Sequence, residues 1–115
     1  MVYGYARVSS TDQNLDRQLE QLHEFISDDR YIICDKQSGK DFKRKGYNLL
    51  VGTESTASLL HDGDLLIICS LDRLGRNFTE IRQQWEYITT KLKADIRVLD
   101  MPLLDSTNSN GNLDR

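Results

Sequence analysis

Asp64 to Cys69, DLLIIC, is a near-continuous apolar run preceded by the turn-like HDGD, and it reads as a strand buried on both faces. Such a strand needs a layer of structure above it and another below. The rest of the chain supplies them in alternation. Val2 to Val8 is a first strand of β-branched and aromatic residues, brought to an end by Ser9, Ser10 and Thr11. Leu15, Leu19, Leu22 and Ile26 then recur at helical spacing, with Ser10 and Gln13 placed for a capping box at the helix start. Tyr31 to Cys34 is a short second strand that delivers Asp35 at its carboxyl end, and the polar, glycine-bounded SGKDFKRKG after it reads as a mobile loop. Tyr47 to Leu60 carries a weaker helical pattern, diluted by Gly52, Thr53, Ser55 and Thr56. Beyond the buried strand, Asn77 and Glu80 suggest another capping box, and Phe78, Ile81, Trp85, Ile88 and Leu92 mark one helix face through Lys93. Ile96 to Leu99 is the last strand. The alternation predicts an α/β fold: a mostly parallel central sheet of about four or five strands flanked by helices and joined by right-handed crossovers.

Ligands of such sheets usually sit beyond the carboxyl ends of the strands, and Ser9, Asp35 and Asp72 all fall there. In YARVSS, Tyr5 to Ser10, strand alternation puts Tyr5, Arg7 and Ser9 on one face and Ala6, Val8 and Ser10 on the other, so Arg7 can reach whatever Ser9 touches. LDRLGRN, Leu71 to Asn77, adds Asp72, Arg73 and Arg76, the arginines spaced as a helical turn would align them. A serine facing several arginines points to phosphate chemistry. The guanidinium keeps its charge and grips phosphate oxygens with a planar fork, which attack on a neutral carbonyl does not require. No Ser-His-Asp arrangement is evident: His23 falls among the polar positions of a helix and His61 in a turn. An unassisted serine hydroxyl is a poor nucleophile at neutral pH, so the arginines are the candidates for lowering its barrier.

The 115 residues fit one domain able to bury a single core. Cys34 and Cys69 sit inside the apolar runs YIIC and LLIICS, as small buried hydrophobes do. Neither has a second cysteine or a histidine at metal-ligand spacing, so no disulfide and no metal site is expected. There is no apolar run long enough to cross a membrane and no basic-then-apolar leader, from which a cytoplasmic location follows. MPLLDSTNSNGNLDR, from Met101 to Arg115, loses periodicity and reads as a flexible tail after a folded domain of residues 1–100.

YARVSS, the DKQSGKDFKRKG segment from Asp35 to Gly46, and GDLLIICSLDRLGRN from Gly63 to Asn77 resemble, in order and approximate spacing, the catalytic domain of the serine site-specific recombinases, the resolvases and DNA invertases. The resemblance covers nearly the whole chain. It implies a resolvase-like catalytic domain that works without a cofactor on double-stranded DNA at a specific recombination site. A serine attacks the DNA phosphodiester to give a 5′-phosphoserine and a free 3′-hydroxyl, strands are exchanged by subunit rotation, and the attack is reversed. The covalent link conserves the bond, so neither ATP nor a ligase is needed. Carried over by motif, Ser9 is the nucleophile, Arg7, Arg73 and Arg76 bind the scissile phosphate, and Arg44 in the loop assists. Gln13 and Asp72 match active-site positions, with Asp72 orienting arginines or handling a proton. Asp35 takes a supporting role, and Lys40, Lys43 and Lys45 serve as general phosphate contacts. A homodimer that assembles to a tetramer during synapsis is implied as well. In the family a long helix and a separate DNA-binding region follow this point, and nothing here matches either, so the sequence reads as a catalytic-domain fragment or a truncated product. The tail motif DMPLLD leans toward invertase-like and transposon-associated members.

A net charge of −3 is awkward for a DNA partner. The charge is uneven, however: Lys36, Lys40, Lys43, Arg44 and Lys45 cluster, whereas Glu20, Glu24, Asp28 and Asp29 crowd the helix before them, and this domain alone is expected to bind DNA weakly. Each assignment has a plainer rival. Ser9 can be a strand-ending turn residue and Ser10 a cap; Arg73 and Arg76 can form surface ion pairs with Asp72 and Glu80. The basic DFKRKG run can be a solvated face, and Asp35 the polar end of a strand or an arginine partner. Two other functions fit parts of the pattern. Asp12, Asp35 and Asp72 could hold divalent ions in a metal-dependent nuclease or phosphatase, or the domain could be a non-enzymatic dimerisation module. A nucleotide-binding sheet protein is weaker, since neither a Walker loop nor GxGxxG occurs.

Overall fold

In the computed structural model, which describes residues 1–9, 15–37 and 44–101 and only the backbone of Ser9 and Gln37, four strands form one parallel sheet. They are β1 (Val2–Ser9), β2 (Ile32–Gln37), β3 (Leu65–Ile68) and β4 (Asp95–Val98), in the order β2-β1-β3-β4. Helix α1 (Leu15–His23) covers one face; α2 (Lys45–Val51) and α3 (Phe78–Glu86) cover the other.

Alternation within the strands assigns the faces. Tyr5, Leu66, Ile68, Ile96 and Val98 pack with Tyr47, Leu50 and Ile88 in the larger core. Ala6, Ile32 and Ile67 turn the other way and meet Leu22 and Ile26 of the α1 side. Leu66, Ile67 and Ile68 are all buried, as a strand covered on both faces requires, each such side chain stabilising the fold by about 1.5–3 kcal/mol. Tyr5 and Arg7 share the α2–α3 face, as the period of two demands.

Three expectations are corrected. The second helix stops at Val51 rather than running to Leu60, because Gly52 takes a left-handed φ of 84° and a Cβ there would lie 2.9 Å from the Ser58 nitrogen. The chain then doubles back, with the Leu59 and Leu60 amides donating to Leu49 O at 2.9 Å and Leu50 O at 3.0 Å. The third helix is α-helical only to Glu86 and continues as a π-helical turn over Tyr87–Lys91. Its start carries half of the expected box: the Glu80 amide donates to Asn77 Oδ1 at 2.9 Å, while the Glu80 carboxylate accepts from the Arg76 amide at 2.8 Å instead of reaching Asn77. Finally, Cys69 is buried but Cys34, on the edge strand β2, is exposed. No helix among the described residues is long and apolar enough to cross a membrane. The capping box drawn for Ser10 and Gln13, and the tail beyond Met101, lie outside the described residues.

Candidate active site

The site is built where β1 outruns its neighbour. β3 pairs with β1 only as far as Tyr5↔Ile68, whereas β2 follows it to Ser9↔Gln37. Past Tyr5, the backbone edge that β3 would cover is met by a side chain. The Arg7 amide donates to Gln18 Oε1 at 3.3 Å, and Gln18 Nε2 donates to Arg7 O at 3.2 Å, so one buried amide stands in for a strand. Arg73 adds a donor, its Nη1 reaching Arg7 O at 2.7 Å. The last turn of β1 before Ser9 is thereby fixed from α1 and from the Leu71–Arg73 turn.

Three guanidiniums from three elements converge on that turn. Arg7 of β1 donates through Nη2 to Asp72 O. Arg44, at the N-cap of α2, donates through Nη1 to Leu74 O at 2.8 Å and through Nη2 to Arg73 O at 2.5 Å. Arg73 closes the set through its bond to Arg7. Burial, and then the like charges of Arg44 and Arg73, pull the Arg7 pKa below its ordinary value; a guanidinium remains a cation at neutral pH regardless. The plane of Arg44 lies over an aromatic face, its Cζ 3.7 Å from the Tyr47 ring centroid and 5.8 Å from that of Tyr5.

Asp35 fixes the base of Arg44. Directly opposite Arg7 in the β1–β2 register, its Oδ1 accepts from the Gly46 amide at 2.7 Å and its Oδ2 from the Tyr5 hydroxyl at 2.7 Å and the Tyr47 amide at 3.0 Å. Arg44 itself makes no side-chain cap, so a carboxylate from the neighbouring strand caps α2. The supporting role drawn for Asp35 thus takes the form of a helix cap. Gly46 permits the close approach: a Cβ would sit 2.6 Å from Ile33 Cγ2 and 2.9 Å from Asp35 Oδ1.

The remaining predicted residues divide. The Asp72 carboxylate is 67% exposed, accepts from the Ser70 hydroxyl at 2.5 Å and lies 3.8 Å from Arg73 Nε. Arg76 is 60% exposed, with its guanidinium 3.6 Å from Glu80 one helical turn on, the plainer ion pair considered for it. Lys45 is exposed in the first turn of α2. Gln13, Lys40, Lys43, Ser10 and Asp12 lie outside the described residues, as does the Ser9 side chain; the Ser9 backbone ends β1. His23 is held by Asp29, its Nε2 2.9 Å from that carboxylate. Among the described residues no group of three or more His, Cys, Asp and Glu is arranged to hold a metal ion.

The sequence reading missed Gln18, Tyr5, Tyr47 and Gly46. Gln18 left a signal: it lies three residues after Leu15 and four before Leu22, on the apolar stripe, where a polar side chain must have a partner. It also lines a cleft of about 280 Å³ with Arg17, Gln21, Ser70, Arg73 and Asp100, at the carboxyl ends of the strands.

A parallel sheet with a cluster of part-buried arginines at the carboxyl ends of its strands defines an α/β domain. The model of one family, the resolvase N-terminal domain, matches residues 2–114, and the chain belongs to that family. The resolvase of transposon Tn501 from Pseudomonas aeruginosa is 39% identical over 88 residues, 76% of this chain and 41% of that protein. A resolvase from Clostridium perfringens is 31% identical over 110 residues, 96% of this chain and 54% of that protein. The chain therefore spans about two fifths to half of the length of the curated relatives it matches. The fold is shared with the N-terminal catalytic domain of TP901-1 integrase, with a TM-score of 0.69 at 24% identity over 98% of this chain and 86% of that one.

Proposed function

We propose that this chain is the catalytic domain of a serine site-specific recombinase, cleaving and rejoining double-stranded DNA through a 5′-phosphoserine at Ser9. The observation that carries the reading is the convergence of Arg7, Arg44 and Arg73 on one turn beside the end of β1, the strand that closes on Ser9. In the reaction the Ser9 oxygen gives up its proton and bonds to phosphorus, and the 3′-oxygen leaves and takes up a proton. Negative charge gathers on the phosphoryl oxygens in between. Guanidiniums already held in place stabilise that charge more than the ground state, and removing one costs on the order of 10³-fold in rate or more. Arg76 joins Arg7 and Arg73 on the scissile phosphate and Arg44 assists. Asp72, which accepts from Ser70 and lies beside Arg73, orients that arginine or handles a proton. Gln13 supports the nucleophile, and Lys40, Lys43 and Lys45 contact flanking phosphates.

Residues 1–100 form the catalytic unit and 101–115 a connection out of it, in a cytoplasmic protein that needs no cofactor. Strand exchange requires a homodimer that becomes a tetramer at synapsis. An apolar groove of about 340 Å³ along α3, lined by Leu71, Phe78, Ile81 and Trp85, is consistent with such assembly. A nicked suicide-substrate duplex library tests the reading. An SDS-resistant protein–DNA adduct formed in EDTA, mapping to Ser9 and lost in Ser9→Ala, is the expected result. Magnesium-dependent cleavage with no adduct would overturn it in favour of a metal-dependent nuclease or phosphatase. Cleavage by neither route would leave a non-enzymatic dimerisation module.

A further inference from the structure

We infer that Tyr47, anchored by Gln84 of α3, is the positioning residue for Arg44; the inference rests on the recombinase reading and deepens it. A guanidinium is oriented by what touches its edge and by what touches its face. The edge of Arg44 is engaged by Leu74 O at 2.8 Å and Arg73 O at 2.5 Å, and both are carbonyls for which an incoming phosphate oxygen can substitute. The face contact is different in kind. The Tyr47 ring lies 3.7 Å from Arg44 Cζ, offers no competing acceptor along the edge, and stays in place when the edge changes partners.

Tyr47 is itself over-determined. Its hydroxyl donates to Gln84 Oε1 at 2.6 Å, its amide donates to Asp35 Oδ2 at 3.0 Å, and its ring packs against Tyr5 with centroids 5.3 Å apart. It is buried in the larger core, where a leucine would fill apolar space without needing a partner for a hydroxyl. The Tyr47–Gln84 bond ties the first turn of α2 to α3, the helix that follows the arginine-bearing LDRLGRN segment, so the platform under Arg44 and the turn its edge engages move as one body.

The test is a double-mutant cycle on covalent adduct formation with the suicide substrate. Tyr47→Leu, which removes the ring, lowers the rate about 10- to 100-fold, the scale of misplacing a transition-state contact, while Tyr47→Phe, which keeps the ring and loses only the bond to Gln84, slows it several-fold. In an Arg44→Ala background Tyr47→Leu adds less than about twofold, because the residue it positions is gone. An equal loss in both backgrounds, or wild-type rates in Tyr47→Leu, overturns the inference. Should Tyr47→Leu fail to fold by circular dichroism, Gln84→Leu leaves both rings in place and releases only the anchor. It is expected to slow the reaction several-fold with Arg44 present and not without it; the same loss in both backgrounds again overturns the inference. Absence of an adduct in the wild-type protein is a distinct result and overturns the recombinase reading instead.

Discussion

Replacing Asp35 by asparagine keeps the shape of the side chain and removes what it does. The carboxylate accepts three hydrogen bonds, from the Gly46 amide at 2.7 Å, the Tyr5 hydroxyl at 2.7 Å and the Tyr47 amide at 3.0 Å. Asparagine has one acceptor oxygen. Its best orientation puts that oxygen where Oδ2 was, keeping Tyr5 and Tyr47, and turns the NH₂ group toward the Gly46 amide, donor against donor. Losing that bond while leaving the N–H buried costs about 1–3 kcal/mol, and weakening the two surviving bonds from charged to neutral acceptors costs about 1 kcal/mol each. Relief of the desolvated carboxylate offsets part of the sum, leaving about 2–4 kcal/mol. Against a total stability of about 5–15 kcal/mol for a typical domain, that is a large fraction. Urea unfolding followed by circular dichroism measures it, and amide exchange localises it, since protection at Gly46 and Tyr47 should fall more than in β3. A loss under about 1 kcal/mol, or a loss of protection spread evenly over the sheet, would refute the assignment of Asp35 as the cap of α2.

Gln18→Leu should cost about 1–3 kcal/mol in the same unfolding assay, because it leaves the buried Arg7 amide without an acceptor, while Arg7 O keeps its bond from Arg73 Nη1. Gly46→Ala is a test of sign. Helix propensity alone favours alanine by about 1 kcal/mol, but a Cβ 2.6 Å from Ile33 Cγ2 forces β2 and α2 apart, so a net destabilisation of about 1–3 kcal/mol is expected. A pH titration of stability addresses the buried phenols. Burial raises the pKa of both Tyr5 and Tyr47 above the ordinary 10.0, with the Asp35 bond adding to the rise at Tyr5. Above pH 10 the unfolded chain has lost protons that the native state still holds, so stability must fall with rising pH, by up to about 1.4 kcal/mol per pH unit for each tyrosine. Tyr47→Phe should flatten that decline by one tyrosine's share, and an unchanged slope would contradict it.

The elements that could be read from sequence are those in which local pattern and tertiary environment agree. β3 is apolar on both faces because it is covered on both faces, and Asn77 announces the start of α3 because its side chain caps the Glu80 amide there. The failures fall where the deciding contact is distant. Cys34 has the same apolar neighbours as a buried cysteine, but it lies on an edge strand and is exposed, and what covers each face of that strand is not encoded in a local window. The weak helical pattern over Tyr47 to Leu60 suggested a long second helix; Leu59 and Leu60 instead belong to a segment that folds back on α2 after Gly52. At the site, Arg7, Arg73 and Arg76 stood out by spacing, whereas Arg44 was singled out from a run of basic residues only through the family resemblance. What distinguishes it from Lys45 is the side-chain geometry around it, the Tyr47 ring beneath and the Leu74 and Arg73 carbonyls ahead.

The acidic balance of the whole chain is compatible with a cluster of cations at one place in it, because charge acts locally. Placing like charges side by side in a part-buried pocket is costly, and burial together with Arg44 and Arg73 already depresses the Arg7 pKa. Backbone carbonyls of Arg7, Asp72, Arg73 and Leu74 help to hold the three groups, each guanidinium bonded to the main chain of a segment that carries another, and the Asp72 carboxylate lies 3.8 Å from Arg73 Nε. Carbonyls orient a cation without neutralising it. Partial burial makes each interaction in such a site stronger than it would be in water. A phosphate entering this pocket replaces dipoles with a formal charge, and the gain is largest when extra charge develops on its oxygens during attack. Binding need not come from a basic surface: a net charge of −3 describes the whole chain, whereas a phosphate at this site would meet the local charge of three guanidiniums.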